Sequence, residues 1–279
     1  MKRLFAVIGD PIGHSMSPVM HNDLFAFYQI DAYYLPFQVK PDDLEAAVKG
    51  LRALGAGGFN VTVPHKQRII PYLDEVDELA QAIGAVNTVV SDGGKLIGYN
   101  TDGPGFLTGL ASCLPTVKGK KILIIGAGGA ARAIYFTLAK EQPLAIDIAN
   151  RSVDKAGSLI EDCPYIADSN AYSLGEADTL IHEYDLIVQT TSIGMAPKIA
   201  EQPLNVTALK AGAAVCDIIY NPLETKFLHQ AKTNGAAIQN GIDMFVFQGA
   251  LAFEKWVNIM PDVDRMRENV LKQLGGASC

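Results

Sequence analysis

A chain of 279 residues has room for a large core and for two domains. Apolar residues make up 49% and charged residues 19%, and the formal charge of −7 weighs against a nucleic-acid groove or an anionic membrane surface as partner. No apolar run approaches the roughly 18 residues of a membrane helix, and the start "MKRLFAVIGD" has too short an apolar stretch for a secretory leader. Cys113, Cys163, Cys216 and Cys279 are scattered, without CxxC or paired spacing, which suits free thiols in a reducing cytoplasm. The five histidines lack ligand spacing, so no metal is expected. A small anionic substrate remains compatible with the charge, because a local pocket can differ from the average.

In chain order, short strands are predicted at "LFAVIG", "YYLPFQV" and "GFNVTV", with helices near 18–29 and 41–54 between them. "VNTVVSDGGKLIGYN" predicts a hairpin turning at Asp92-Gly93-Gly94. From residue 118 the pattern changes. "KKILIIG" and "LAIDIAN" predict buried strands around a helix "AARAIYFTLAKE", and a further helix starts near Asp154. "YDLIVQT" and "AAVCDIIY" are two more continuous apolar strands, with helical stretches expected between. Uninterrupted apolar strands alternating with helices indicate a parallel sheet covered on both faces, a doubly wound nucleotide-binding fold. Two helical runs close the chain, "DMFVFQGALAFEKWV" and "VDRMRENVLKQL".

The stretch "IGAGGAARA" fits GxGxxA, with Gly126, Gly128 and Ala131 in the three positions, between a predicted strand and a predicted helix. Gly126 serves the tight turn, Gly128 admits a pyrophosphate to the backbone, and the helix N-terminus offers unpaired N–H groups. A dinucleotide is expected there. The next strand ends in "ANRSVDK", giving Asn150, Arg151 and Lys155 where NAD sites carry an acid. Guanidinium and ammonium groups attract a 2′-phosphate that a carboxylate would repel, so NADP is favoured over NAD. Asp147, earlier in the strand, is expected to point into the sheet or its edge.

Four polar stretches are unexplained by packing alone. "GHSMSP" places Ser15 and Ser17 two apart on one face of an extended segment before a helix. "NVTVPHK" puts Asn60 and Thr62 on one strand face and Val61 and Val63 on the other. "AVNTVV" offers Asn87 inside an apolar run, and "GYNTDG" ends the hairpin with Asn100, Thr101 and Asp102. Each alone is as well read as a cap or turn. Together they resemble the parts of a pocket for a hydroxylated acid. Ketone reduction leaves an alkoxide that must gain a proton, and the Lys66 ammonium can supply it, with Asp102 orienting the lysine and the reacting hydroxyl. His65 is the rival acid–base group, and strand parity does not choose between the two.

Over essentially its full length the chain resembles the shikimate/quinate dehydrogenase family. The matching pieces run in order: "SMSPVMHN", "GFNVTVPHK", "GAVNTVV", "LIGYNTDGPGF", "GAGGAARA", "NRS", "DIIYNPLETKFL" and "GIDMFVFQGALAFEKW". Leucine is usual where Met16 stands, and threonine is commoner than Ser152. The resemblance implies reversible NADPH-dependent reduction of 3-dehydroshikimate to shikimate, in the pathway to chorismate and the aromatic amino acids, with Lys66 and Asp102 as the catalytic pair. It implies that Ser15 and Ser17 hold the carboxylate, that Thr62, Asn87, Tyr220 and Gln248 complete the substrate site, and that Asn60 contributes. Gly126, Ala127, Gly128, Gly129 and Ala130 would cradle the pyrophosphate, with Asn150, Arg151 and Lys155 around the adenosine phosphate. Ile218, Gly241 and Met244 would line the nicotinamide. Met244 and Gln248, four apart, share a helix face in keeping with this. The expected architecture is a discontinuous substrate domain, 1–103 plus 238–279, and a Rossmann-type NADP domain, 104–237, with the site in the cleft between them. The expected partners are small molecules only, with no nucleic acid or membrane, for a cytoplasmic monomer or homodimer.

Overall fold

The computed structural model describes residues 2–275, so Cys279 lies outside the described residues. The chain separates into two compact units, residues 1–101 with 246–279, and residues 102–245.

The first unit opens with β1 (Arg3–Gly9), α1 (Ser17–Phe27), β2 (Ala32–Gln38), α2 (Leu44–Ala53) and β3 (Gly58–Val61). It continues through β4 (Glu75–Val76), α3 (Glu78–Ile83), β5 (Thr88–Asp92) and β6 (Lys95–Tyr99). The strands form a six-stranded mixed sheet in the order β2-β1-β3-β5-β6-β4. Period-two alternation in β1 sends Ala6 and Ile8 to a cluster with Val48, Leu51, Phe59 and Val61. Phe5, facing the other way, meets Phe25 at 5.1 Å and Trp256 at 5.2 Å between ring centroids. The Trp256 indole donates to the Val89 carbonyl at 2.9 Å, which ties a C-terminal helix to β5. His21 stacks on Tyr34 within this aromatic layer, and burial holds its imidazole neutral by lowering its pKa to about 3.

The hairpin expected at Asp92-Gly93-Gly94 forms, with β5 and β6 antiparallel and Asp92 opposite Lys95. "GFNVTV" is shorter than expected. The strand stops at Val61, and Val63 is 67% exposed rather than sharing the apolar face with Val61. The His65 amide donates to the Thr62 carbonyl, so the chain has already turned before the parity of a strand could place Val63.

The second unit runs α4 (Asp102–Leu110), β7 (Lys121–Ile125), α5 (Gly129–Ala139), β8 (Ala145–Ala149), α6 (Val153–Glu161), β9 (Ala171–Tyr172) and α7 (Leu174–Leu180). Next come β10 (Leu186–Gln189), β11 (Ala214–Asp217), α8 (Lys226–Thr233), β12 (Ala237–Gln239) and α9 (Gly241–Val257). The boundary between units falls inside α9, and α10 (Val263–Gln273) belongs to the first unit. The sheet order β12-β11-β10-β7-β8-β9 is parallel throughout, which is the doubly wound order with its switch point between β7 and β10. The helix expected between β10 and β11 is absent: residues 190–213 are turns and irregular chain. At its start the Gln189 side chain bonds the Thr191 and Ile193 carbonyls and the Thr191 amide. No helix among the described residues is long and apolar enough to cross a membrane.

Asp217 closes β11 and anchors the loop leading to α8. It accepts from the Ile219 amide at 3.0 Å and from the Thr225 hydroxyl at 2.8 Å, while Thr225 caps α8. Burial pushes its carboxyl up to about 6 against those two bonds. The unfolded chain therefore ionises first as pH rises, and this group subtracts from stability between about pH 4 and 6, by roughly 3 kcal/mol in full. Asp217→Asn should remove that slope, so wild type loses stability relative to the variant across this window in urea unfolding. A difference independent of pH would show that the carboxyl stays ionised in the folded state.

Candidate functional site

In the first unit Ser17, Asn60, Asn87, Thr101 and Gln248, among the sequence-predicted polar residues, are joined by one buried network. Asn60 is 7% exposed and accepts from the Tyr34 hydroxyl at 2.6 Å. Its amide donates to the Asn87 carbonyl and the Thr88 hydroxyl, both at 3.1 Å. Asn87, 2% exposed, accepts from the Thr101 amide at 2.8 Å and donates to the Thr101 hydroxyl at 3.0 Å and to Gln248 Oε1 at 3.5 Å. Ser17 is buried and hydrogen-bonds Tyr34, opposing the strong upward push that burial gives the phenol. Ser17 is the first residue of α1, not part of an extended segment, because Met16 already has helical dihedrals; the Ser15 hydroxyl accepts from the Ser17 amide at 3.4 Å.

Thr62 and Lys66 lie just beyond β3 and are half-buried. The Lys66 carbonyl accepts from the Val86 amide at 2.8 Å, and the Val61 amide donates to the Asn87 carbonyl at 2.9 Å, so the segment is pinned beside Asn87 on both sides. His65 is 0% exposed with Nε2 against the Val39 carbonyl at 2.7 Å. Its side chain is committed to the core, whereas its neighbour Lys66 is half-buried.

Two members of this network escaped the sequence reading. Tyr34 sits in "YYLPFQV", where an aromatic reads as ordinary strand filling, and Thr88 is a β-branched residue at a strand start. Only their pairing with Asn60 and Asn87 distinguishes them.

In the second unit the expected cofactor residues gather at the C-terminal ends of the parallel strands, where doubly wound sheets take ligands. Gly126, directly after β7, has φ +112°, and a β-carbon there would lie 2.5 Å from Thr190 Oγ1 and 2.9 Å from Thr191 Cγ2. Thr190 in turn donates to the Ile125 carbonyl at 2.7 Å. Gly128 caps α5, and a β-carbon at Gly128 or Gly129 would meet nothing within 4 Å. The first-turn amides of α5 thus face space that an anion can fill, with Ala127 and Ala130 flanking it. These residues fit a pyrophosphate.

At the end of β8, Asn150 donates to the Ser152 carbonyl at 2.9 Å, while Arg151 and Lys155 are exposed and enter no ion pair among the described residues. Asp147 is wholly buried, accepting from the Asn170 amide, the Asn170 side chain and the Tyr184 hydroxyl. It is a structural carboxylate, pointing inward as expected. Ile218 comes directly after β11, and the Gly241 amide donates to the Ile219 carbonyl at 2.9 Å. Tyr220 is half-buried and packs on Phe245, ring centroids 5.5 Å apart. Met244 lies one turn into α9 and Asp102 opens α4, both half-buried.

Comparison with known proteins matches residues 7–89 to the shikimate dehydrogenase substrate binding domain, 110–218 to shikimate / quinate 5-dehydrogenase and 241–271 to the shikimate 5′-dehydrogenase C-terminal domain. A shikimate dehydrogenase (NADP(+)) of Bacillus anthracis is 57% identical over 99% of this chain and 100% of its own. The chain belongs to the shikimate dehydrogenase family.

Among solved members, a shikimate dehydrogenase in complex with NADP+ superposes with a TM-score of 0.90 at 41% identity, covering 98% of this chain and 96% of that one. The shikimate 5-dehydrogenase of Listeria monocytogenes, in complex with shikimate and NAD, reaches 0.92 at 35% identity, covering 96% of each chain. Ser15, Ser17, Asn60, Thr62, Lys66 and Asn87 fall inside the stretch matched to the shikimate dehydrogenase substrate binding domain. The glycine turn, Asn150, Arg151, Lys155 and Ile218 fall inside the second stretch, and Gly241, Met244 and Gln248 inside the third. Asp102 and Tyr220 lie between matched stretches.

Proposed function

We propose that the chain is an NADP-dependent shikimate dehydrogenase that interconverts 3-dehydroshikimate and shikimate, with Lys66 and Asp102 handling the proton. The observation that carries the assignment of roles is the pinned segment beside Asn87, which leaves Lys66 reachable and His65 locked on Val39. NADP, when bound, supplies or accepts the hydride. The protein's own residues do the rest. Ser15 and Ser17 hold the substrate carboxylate, and Thr62, Asn87, Tyr220 and Gln248 read its hydroxyls, with Asn60 acting through Asn87. Lys66 donates a proton to the oxygen of the carbonyl being reduced and removes it in the reverse direction, while Asp102 orients the lysine and the reacting hydroxyl.

Gly126 to Ala130 receive the pyrophosphate, Asn150, Arg151 and Lys155 the adenosine phosphate, and Ile218, Gly241 and Met244 the nicotinamide. The reading divides the chain into a substrate domain, 1–103 with 238–279, and an NADP domain, 104–237, with Tyr220 reaching the substrate from the second and Gly241 and Met244 reaching the nicotinamide from the first, in a cytoplasmic monomer or homodimer acting on small molecules.

The deciding assay follows reduced cofactor formed from shikimate, with NADP against NAD and with quinate against shikimate. Preference for NADP and shikimate is expected. A preference for NAD and quinate would favour the second reading, a quinate-oxidising enzyme, which the match to shikimate / quinate 5-dehydrogenase keeps in view. Arg151→Ala should weaken NADPH binding by about 1.5–3 kcal/mol through loss of a charge-assisted contact, and leave NADH binding nearly unchanged. Titration of both nucleotides by fluorescence measures this; equal losses would remove Arg151 from the 2′-phosphate.

A further inference from the structure

Two of the scattered cysteines meet inside the second unit. Cys113 lies in the turn after α4, its amide donating to the Leu110 carbonyl, and Cys216 is the third residue of β11. Their sulfurs are 3.9 Å apart, and Cys113 Sγ is also 3.2 Å from Gln239 Oε1 on β12. Residue spacing gives no hint of this, since 103 positions separate them. Both are free thiols.

The two thiols are inequivalent. Cys216 is 1% exposed, out of reach of any reagent, whereas Cys113 is half-buried. Beside Cys113 a cavity of about 330 Å³, partly open to solvent, is lined by Ser112, Gln239, Glu224, Leu228 and Asp243. The residue before Cys113 and the amide it touches are both part of that lining. Cys113 itself does not line the cavity; it adjoins it through its chain neighbour Ser112 and its hydrogen-bond partner Gln239. The contact with the Cys216 thiol holds Cys113 below the usual thiol range, while the same contact and burial push Cys216 well up. Cys163, by comparison, is pushed up by burial.

We propose that Cys113 and Cys216 form a reversible dithiol site, in which a small-molecule disulfide of the glutathione class reacts at Cys113 and Cys216 resolves the adduct. The Cys113 thiolate attacks one sulfur of the reagent, the reagent's S–S bond breaks, and one thiolate leaves. Cys216 then gives up its proton and attacks the Cys113 sulfur, expelling the second thiolate, which takes up a proton. Two protein thiols are oxidised to one disulfide, and one small disulfide is reduced to two thiols. The bond ties the end of α4, the helix that Asp102 opens, to the strand that runs directly into Asp217 and Ile218. Closing it draws those elements together, and turnover falls; this last consequence rests on the roles proposed above for Asp102 and Ile218.

The test exposes the full chain to oxidised glutathione, blocks remaining thiols, and maps peptides without reduction. The expected result is a Cys113–Cys216 cross-link with the loss of two hydrogens, and a severalfold fall in shikimate oxidation. Dithiothreitol should reverse both. Cys113→Ser should abolish the cross-link and keep its turnover under the reagent, and Cys216→Ser should stop at the glutathione adduct on Cys113. A lasting adduct on wild-type Cys113, or a cross-link through Cys163 or Cys279 instead, would overturn the dithiol. A cross-link that leaves turnover unchanged would overturn its coupling to the site. The peptide map decides the chemistry even if the untreated chain oxidises no shikimate, so failure of the proposed activity is read separately.

Discussion

Lys66→Ala is expected to lower turnover by roughly 10²–10⁴-fold, the usual loss when a positioned acid–base group is removed. The effect should fall on kcat, with KM for shikimate changed much less, because Ser15, Ser17, Thr62, Asn87, Tyr220 and Gln248, proposed above to bind the substrate, all remain in the variant. The fold should tolerate the change. Lys66 holds its place through its backbone carbonyl, bonded to the Val86 amide, and alanine keeps that bond. His65 cannot substitute, since its Nε2 is taken by the Val39 carbonyl in the core. Steady-state assays on a variant with wild-type circular dichroism decide the matter. Turnover near the wild-type value would take the lysine out of the mechanism and reopen the search for the proton donor.

Gly241→Ala is expected to cost about 3 kcal/mol of stability, the upper end for overpacking a fixed site. The β-carbon would stand 2.0 Å from the Ile218 carbonyl oxygen, 2.5 Å from the Ile218 carbonyl carbon and 2.9 Å from that of Ile219. All three atoms are backbone, so no side chain can swing aside. The segment is also held by the Gly241 amide on the Ile219 carbonyl and by the Ile219 amide on Asp217. Relief must therefore come from moving Ile218 itself. If Ile218 borders the nicotinamide as proposed, cofactor binding weakens along with the melting temperature. Thermal melting and NADPH titration measure the two effects. A variant as stable as wild type would mean that the close approach of these backbones is not a fixed feature of the fold.

The resemblance carried by eight short motifs brought the family within reach from residues alone, and the two-sheet α/β architecture was legible for local reasons. β7 is apolar from Ile122 to Ile125 and β8 is interrupted only by Asp147, as strands covered on both faces tend to be, and the turn at Gly93 and Gly94 leaves few alternatives to a hairpin. What escaped reading depends on partners far away in the chain. Val63 looked like core because alternation was extended past Val61, while the bond from His65 back to Thr62 ends the strand. Helical stretches are expected between β10 and β11, yet that chain is turns and irregular structure, with the Gln189 side chain bonding the backbone of Thr191 and Ile193 at its start.

The site divides along the same line. Sequence alone determined which chemistry is present: a glycine turn opening a helix, basic groups after the second strand of that sheet, and a lysine beside a cluster of amides and hydroxyls. Those are properties of residue type and short spacing. The tertiary structure decided which groups are occupied elsewhere. It committed His65 and Asp147 to the core, recruited Tyr34 and Thr88 to hold Asn60 and Asn87, and set Cys113 against Cys216. A buried polar group must find a partner, and which one it finds depends on where distant strands are brought side by side, which spacing along the chain does not encode.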